Sequence, residues 1–464
     1  MSLHSMIEPI VWPAIHGGRA AELLALQRQF DETQFWPPER LEQAQYAQLT
    51  KLAEHAARTV PFYAQRLREA GLRPGAPLTA AAWRRLPILT RKDLQAAGDK
   101  LISSAPPAAF GPTEVFSSGG SSGVPVRVRK SALDSVLWEA MTVREEIWHR
   151  ENFDGLIARL RGSPPGFPPE QAAAIQSEQG LVLPDWGRPA NLIWRTGKIA
   201  VIDPKHSAAV LAAFLLRHQP EYLFTFPSYL RILTAYFRES PRKLRSLRAA
   251  WLASETVDED LRQACQDEFG CRIVENYTSG ETGYIALQCP QSGKFHIQSE
   301  VALVEVLDEE GRACGPGEIG RVVVTPLHNF ATPLLRYEIG DEAEMGEPCA
   351  CGRNLPTLNR IVGRTQDYFV LRSGERRRVD INHYRLSKIA AVMEFQFVQN
   401  DYEQLELKLA VARSLTPAEL EQVDRVLSLA SGGLFETKVT LHDSLERTEV
   451  GKLRPFVCRL AEAG

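Results

Sequence analysis

Tyr222-Leu223-Phe224, Ala249-Ala250-Trp251-Leu252-Ala253 and residues 271–275 (Cys-Arg-Ile-Val-Glu) are three short apolar runs within residues 205–285. Each is followed by a turn: Phe226-Pro227-Ser228, Ser254-Glu255-Thr256, and residues 276–282 (Asn-Tyr-Thr-Ser-Gly-Glu-Thr). Helical patterns over 207–217, 229–237 and up to Phe269 separate the runs. Strand, turn and helix in repetition predict parallel strands joined by crossover helices. Thr256 and Glu259 have the spacing of a capping box, and Gly270 is a helix stop. Ligands of such sheets bind beyond the carboxyl ends of the strands. Pro227-Ser228, Ser254-Glu255 and residues 277–281 are therefore expected to line one crevice.

Upstream lies Ser117-Ser118-Gly119-Gly120-Ser121-Ser122-Gly123-Val124-Pro125. No hydrophobic face can be drawn on it, so it is a loop. Glycines admit a close backbone approach, and serine hydroxyls with turned-in N–H groups can hold phosphate oxygens. It lacks the Gly-Lys-Ser/Thr ending of a Walker A loop, and a flexible linker has a similar composition. Val115-Phe116 on one side and Val126 and Val128 on the other read as strands, which hold the loop at both ends and favour a ligand cradle. A helix follows over 132–150, whereas residues 161–191 are rich in Pro and Gly and resist assignment.

Residues 14–105 read as helices with short breaks, and Thr90 is placed to cap the helix after it. Residues 301–306 and 320–324 alternate as strands of an antiparallel or barrel-like part, turning at Gly311 and at Gly315-Pro316-Gly317. The last hundred residues reset to a small α+β unit. In it Thr416-Pro417-Ala418-Glu419 opens a helix, and Arg447-Thr448-Glu449-Val450-Gly451-Lys452 forms a basic loop.

At 464 residues the chain calls for more than one core. A net charge of −3 gives no electrostatic case for nucleic acid or an anionic membrane. No apolar run approaches ~18 residues and no basic-then-apolar leader opens the chain, so the expectation is a cytoplasmic protein. Seven unevenly spread cysteines argue against a disulfide framework and leave metal binding or free thiols open.

Taken in order, these segments resemble the adenylate-forming superfamily of acyl-CoA synthetases, and are most similar to its phenylacetate–CoA ligase-like branch. The likeness runs through Val60-Pro61-Phe62-Tyr63, Leu86-Pro87 with Lys92-Asp93-Leu94, and the serine/glycine loop. It continues through Tyr277-Thr278-Ser279-Gly280-Glu281, Arg336-Tyr337 with Gly340-Asp341, Gly363-Arg364-Thr365-Gln366, and Gly451-Lys452. Gly280 stands where that family usually has threonine, Thr278 where it has glycine, and Gln366 where it has Asp or Lys.

The resemblance implies an α/β fold. A large N-terminal domain, 1–363, would contain mixed and parallel sheets, a β-rich subdomain and a helical segment over 1–105. A small mobile α+β lid would follow over 364–464. It implies ATP-dependent activation of a carboxylic acid to an acyl adenylate, with release of pyrophosphate and transfer to a thiol, CoA first. A carrier-protein thiol or an amine are alternative acceptors, and a catalytically inactive nucleotide-binding protein is an alternative of a different class. Ser117, Ser118, Gly119, Gly120, Ser121, Ser122 and Gly123 would hold the β- and γ-phosphates. Glu281 would ligate Mg²⁺ and Asp341 the ribose hydroxyls. Tyr277 and Ser254-Glu255 would flank the adenine, and Asn276, Thr278 and Arg364 would complete the nucleotide site. Lys452 would bridge the attacking carboxylate and the α-phosphate, and Gln366 would be the hinge. Phe226, Pro227, Tyr229, Trp251, Ser279 and Gly280 would line the acid pocket. Aromatic walls suit an aryl or arylalkanoic acid. No acidic residue stands in Phe226-Pro227-Ser228 to pair with an α-ammonium, which disfavours amino-acid substrates. A homodimer is left open.

Cysteine arithmetic adds a metal site. Cys349-Ala350-Cys351-Gly352 puts two thiols one residue apart, and Cys289-Pro290 is followed by His296 across a Ser292-Gly293 turn. Three sulfurs and one imidazole make a closed tetrahedral set for structural Zn²⁺. Some sequences of the same branch look similar at these places, and others lack the cysteines.

Overall fold

The computed structural model describes residues 3–72, 75–117, 126–149, 151–162, 167–364, 368–378, 386, 389, 392–411, 413–447 and 453–460. Contacts group the chain into two compact units. One comprises 1–153, 187–196 and 276–365; the other comprises 154–186, 197–275 and 366–464.

The second unit holds the parallel sheet expected from the 205–285 rhythm. Ile199–Ile202, Ile157–Leu160, Tyr222–Thr225 and Ala249–Leu252 run parallel in that order, and the first half of Arg272–Ser279 extends them. The crossovers are the helices Ala208–His218, Pro227–Glu239 and Glu259–Phe269. Such connections are required because parallel neighbours cannot be joined by a tight turn. Ala158, Leu160, Leu223, Ala250 and Leu252 alternate along their strands and bury against Leu211, Leu230, Leu233 and Leu261 of the helices. The unassigned 161–191 stretch resolves into a helix, Pro169–Gln176, and an antiparallel edge strand, Leu181–Leu183.

Three local expectations are corrected. The helix after Ser254 starts at Glu259, and its cap is Asp258, which accepts from Leu261 N, rather than Thr256. Asp258 stands directly before the first helical residue, so its carboxylate reaches the free N–H groups and also pairs with Arg231 at 2.8 Å. The turn expected over 276–282 is shorter. Extended backbone continues to Ser279 because residues 276–279 enter an antiparallel ladder with Gly283–Gln288. The 229–237 helix likewise begins earlier, at Pro227, where proline's fixed φ suits the first turn.

The C-terminal part of this unit has its own four-stranded sheet, ordered Glu436–His442, Gln404–Val411, Val392–Gln399, Phe456–Cys458. Pro417–Ser431 covers it, opened by the expected Thr416/Glu419 capping box. Phe397, Leu407, Leu409, Val423 and Leu427 form its core.

In the first unit the second half of Arg272–Ser279 pairs with Gly283–Gln288. The antiparallel ladder then continues through Phe295–Ile297, Thr357–Arg364, Tyr337–Met345, Ile319–Pro326 and Ala302–Leu307. The N-terminal helices Gly18–Thr33, Pro38–Thr59 and Pro61–Glu69 belong here. Leu89 N donates to Arg336 O at 2.9 Å, and Glu338 N donates to Leu89 O at 3.0 Å. Arg336 itself is buried at φ 53°, held by Glu305 through two 3.0 Å bonds and by the carbonyls of Arg84 and Leu86. Among the described residues, no helix is long and apolar enough to cross a membrane.

Candidate active site

In the first unit, two pairs of the expected residues are joined by hydrogen bonds at and before the turn after Ser279. Tyr277 Oη donates to Asp341 Oδ2 at 2.9 Å, joining two motifs that lie 64 residues apart. Asp341 sits opposite Arg364 in the Tyr337–Met345/Thr357–Arg364 ladder. Ser279 Oγ donates to Glu281 Oε2 at 3.0 Å and accepts from Thr282 N at 3.1 Å, which fixes the carboxylate to its own turn. Glu281 Oε1 faces Arg91 Nη1 at 3.9 Å. Asn276 donates its side-chain amide to both oxygens of Glu145, at 3.2 and 3.1 Å. Burial pushes Glu145 up to about 7, because the low-dielectric surroundings penalise its charge. Thr278 pairs with Tyr284 across the hairpin.

Gly280 meets a neighbour from the serine/glycine hairpin. A Cβ at this position would come within 2.2 Å of the Phe116 ring. Phe116 lies on Thr113–Ser117, which pairs antiparallel with Arg127–Ser131. Ser117 is exposed at the end of that strand. Ser118, Gly119, Gly120, Ser121, Ser122 and Gly123 lie outside the described residues, as do Gln366 and Lys452. Lys130 stands 5.1 Å from the Phe116 ring centroid. Its pKa is lowered, chiefly by burial, while Asp134, Glu281 and Glu114 oppose the shift.

Arg91, Phe116 and Lys130 were not singled out from sequence. Arg91 follows the Thr90 cap, whose reciprocal bonds with Asp93 fix the start of Arg91–Ala97. The capping signal was visible, but a basic residue just after a cap gave no hint that it reaches Glu281.

In the second unit, two strand-end turns meet. Glu255 accepts from Ser228 N at 2.9 Å, from Ser228 Oγ at 3.2 Å and from Leu453 N at 3.0 Å. Ser254 before it adopts φ 74°, in the left-handed region. Arg447 donates to Ser228 Oγ at 2.8 Å, pairs with Glu394, and lies 3.9 Å over the Tyr229 ring. Burial raises the Glu255 carboxyl, with the Ser228 and Leu453 bonds and Arg447 opposing. Phe226, Pro227 and Tyr229 are buried at the carboxyl end of Tyr222–Thr225. Trp251 stacks on Tyr222 at 5.3 Å and 12°, and Trp186 meets both rings edge-on.

The four proposed metal ligands also gather, within the first unit. One ligand atom from each of Cys289, His296, Cys349 and Cys351 lies within 4.8 Å of the others. Cys349 Sγ is 3.8 Å from Cys289 Sγ, and Cys351 Sγ is 3.2 Å from His296 Nε2. A tetrahedral ion with metal–sulfur bonds of ~2.3 Å requires sulfurs about 3.8 Å apart, so the set fits zinc. His296 Nδ1 donates to Leu355 O at 3.2 Å, which leaves Nε2 turned to the sulfurs. The remaining cysteines are elsewhere, with Cys265 and Cys271 3.1 Å apart in the core of the parallel sheet.

Residues 192–330 match the family described as AMP-binding enzyme. The phenylacetate–coenzyme A ligase of Thermus thermophilus is 25% identical over 393 residues, covering 82% of this chain and 84% of that protein. The phenylacetate–coenzyme A ligase of Escherichia coli is 23% identical, covering 72% of this chain and 73% of its own length. Among solved structures, a 2-hydroxyisobutyryl-CoA ligase in its postadenylation state, with 2-HIB-AMP, superposes with a TM-score of 0.68. It is 19% identical and covers 92% of this chain and 93% of that one, which establishes the shared fold. On its ordered motifs, its fold and these relatives together, the chain is similar to the adenylate-forming superfamily, and most of all to its phenylacetate–CoA ligase-like branch.

Proposed function

We propose that this chain is an AMP-forming acid–CoA ligase acting on an aryl or arylalkanoic acid. The observation that carries the reading is the 2.9 Å bond from Tyr277 to Asp341, with Glu281 on the short turn that ends Tyr277's strand. One flat ring, one ribose-binding carboxylate and one acidic residue for a phosphate-bound cation thus share a site. In the first half-reaction a carboxylate oxygen attacks the α-phosphorus of ATP. The bond to the bridging oxygen breaks and pyrophosphate leaves. In the second, a thiol sulfur attacks the acyl carbon, the C–O bond to AMP breaks, and the thiol proton passes to solvent.

Both reactants of the first step are anions, so donors and cations must offset their repulsion. The Ser117-to-Gly123 loop cradles the β- and γ-phosphates. Arg91 and Lys130 add positive charge around Glu281. Glu281 offers the hard oxygen ligand that Mg²⁺ prefers, and the ion supplies charge neutralisation on the phosphates. Lys452 contributes the mobile cation, with Gln366 as the pivot of the 364–464 lid. Phe226, Tyr229 and Trp251 form the apolar wall for the acid, and the two phenylacetate–CoA ligase relatives support that class. Cys289, His296, Cys349 and Cys351 hold a structural zinc ion, supported by their mutual spacing.

The test is pyrophosphate release with ATP, Mg²⁺ and a panel of aryl, arylalkanoic and aliphatic acids, followed by thioester formation on adding CoA. Aryl or arylalkanoic turnover that disappears in Lys452→Ala is expected. A clear preference for long-chain fatty acids overturns the acid class, and pyrophosphate release unaffected by Lys452→Ala overturns the mechanism. Elemental analysis of protein purified without chelator should find about one zinc per chain.

A further inference from the structure

We infer that Arg159 and Arg161 form an oxyanion subsite at the carboxyl end of the parallel sheet, and that the acid activated here carries a second carboxylate, which they hold. The ligase reading above supplies the reaction; the subsite itself stands on the geometry of the second unit.

Ile157–Leu160 lies between Ile199–Ile202 and Tyr222–Thr225. The chain leaves it toward Leu181–Leu183 and Ile199–Ile202 on one side, whereas it leaves Tyr222–Thr225 toward Ala249–Leu252 on the other. Where connections part in this way a crevice opens between the two strands, and ligands of α/β sheets bind there. Ala158 and Leu160 turn to the helices that bury them, so Arg159 stands on the opposite face, in register with Phe224. Arg161 follows the last strand residue, its N–H donating to Ile202 O at 3.1 Å. Phe226 takes the corresponding place past Tyr222–Thr225.

The guanidinium of Arg159 lies 5.5 Å from the Phe224 ring centroid, and that of Arg161 lies 5.3 Å from the centroids of both Phe224 and Phe226. Two cations and two rings thus share one end of the crevice. Among the described residues neither arginine has an ion-pair partner, and Nε of Arg159 is buried without an acceptor. Asp203, just past Ile199–Ile202, instead accepts from Lys205 N at 2.9 Å. Burial lowers the pKa of both arginines, and the charge of Arg161 lowers that of Arg159 further.

Arginine is seldom withdrawn from water without a partner, and like charges side by side repel. Ring faces attract cations but offset only part of that cost. A carboxylate meets the rest, because each guanidinium presents a planar fork that matches its oxygens. The same rings suit the flat body of an aryl acid, so ring and distal carboxylate are recognised together. An acid without the second anion leaves both cations unmet, which discriminates against it.

Calorimetric titration of the full chain tests the subsite without turnover. The probes are phenylacetate and its ortho-, meta- and para-carboxy derivatives, each with and without a nonhydrolysable ATP analogue. At least one carboxylated derivative should bind about tenfold or more tighter than phenylacetate. That preference should fall about tenfold in Arg159→Met and in Arg161→Met. Wild type that binds phenylacetate as tightly as every derivative, or binds none of the four, overturns the subsite. So does a preference that survives both substitutions. Should the Met variants fail to fold, Arg161→Lys keeps the charge and loses the fork; it should bind the preferred derivative several-fold less tightly, and unchanged affinity overturns the proposal.

Pyrophosphate release with the same acids separates this inference from the ligase reading. A higher kcat/KM for a carboxylated derivative, lost in Arg161→Met, supports both. Release that favours phenylacetate keeps the ligase and overturns the subsite. Tight, arginine-dependent binding of a derivative with no pyrophosphate from any acid overturns the ligase and keeps the subsite. A raised KM for CoA in the arginine variants, with acid preference unchanged, gives the guanidiniums to the phosphates of CoA and overturns the proposal.

Discussion

The ring of Phe116 fills the space in which any side chain on Gly280 would have to stand, its Cζ falling 2.2 Å from a Cβ built there. Gly280 is where the wider family usually carries threonine, so the departure has a physical partner in this chain. Phe116 also immediately precedes Ser117, which opens the serine/glycine loop.

Gly280→Ala should push Phe116 aside and drag the strand that leads into the loop. Overpacking of this kind costs about 1–3 kcal/mol. We expect at least about a tenfold drop in pyrophosphate release, with substantial recovery in the Gly280→Ala/Phe116→Ala double variant. Additive losses in the double variant would refute the coupling.

Arg91→Ala should raise KM for ATP by about an order of magnitude while the melting temperature changes little. The side chain is only partly exposed and faces Glu281 at 3.9 Å, a pairing too long to contribute much to stability. A large fall in melting temperature with unchanged KM would make Arg91 a purely architectural residue.

Arg336→Met should be among the most destabilising single changes. It removes a guanidinium bonded twice to Glu305 and to the carbonyls of Arg84 and Leu86, leaving a poorly solvated carboxylate behind. Breaking such a pair from one side costs roughly 3–5 kcal/mol. Urea unfolding with an unchanged m-value and a lower midpoint would verify this; a loss under about 1 kcal/mol would contradict it.

Glu145 makes stability depend on pH. Its folded pKa, raised to about 7 mainly by burial, exceeds the ordinary carboxyl value of 4.5. Glu146 and Glu151 share its surroundings, Glu146 being raised for the same reason, and Asn276 and Tyr284 bond to it. The folded chain keeps a proton that the unfolded chain releases. This contribution is therefore fully present below about pH 4.5 and is lost as pH rises through about 7. Glu145→Gln should flatten that decline and raise the melting temperature at pH 8 by roughly 2–5 °C. A variant no more stable than wild type at pH 8 would contradict the assignment.

Cys349→Ser and Cys351→Ser should each abolish zinc retention and lower the melting temperature by more than chelator lowers that of the variant itself. Ligand exchange to oxygen weakens a thiolate-rich zinc site strongly. Full metal content in both variants would remove these residues from the ligand set.

The parallel sheet was legible because each of its strands is a short apolar run between a helix and a turn. The second half of Arg272–Ser279 was not, since Asn276, Thr278 and Ser279 carry turn-forming side chains. What makes them extended is the partner strand Gly283–Gln288, which local sequence does not reveal. The cap at Asp258 was missed because two residues offered caps, and only the three-dimensional start of the helix chooses between them. The four candidate metal ligands could be paired in advance because each pair is local. Glu255 could be placed at a strand end, but its bond to Leu453 spans 198 residues and no spacing encodes it.

The strand Arg272–Ser279 serves two ladders, parallel to Ala249–Leu252 through Glu275 and antiparallel to Gly283–Gln288 from Asn276. Side chains along it alternate faces with a period of two. A single residue inserted between Tyr277 and Ser279 would leave the parallel ladder intact. Relative to the Ser279–Gly283 end of the hairpin, it would turn Tyr277 away from Asp341. At this junction the chain can be respelled far more freely than it can be lengthened, so natural or engineered insertions should fall elsewhere in active homologues.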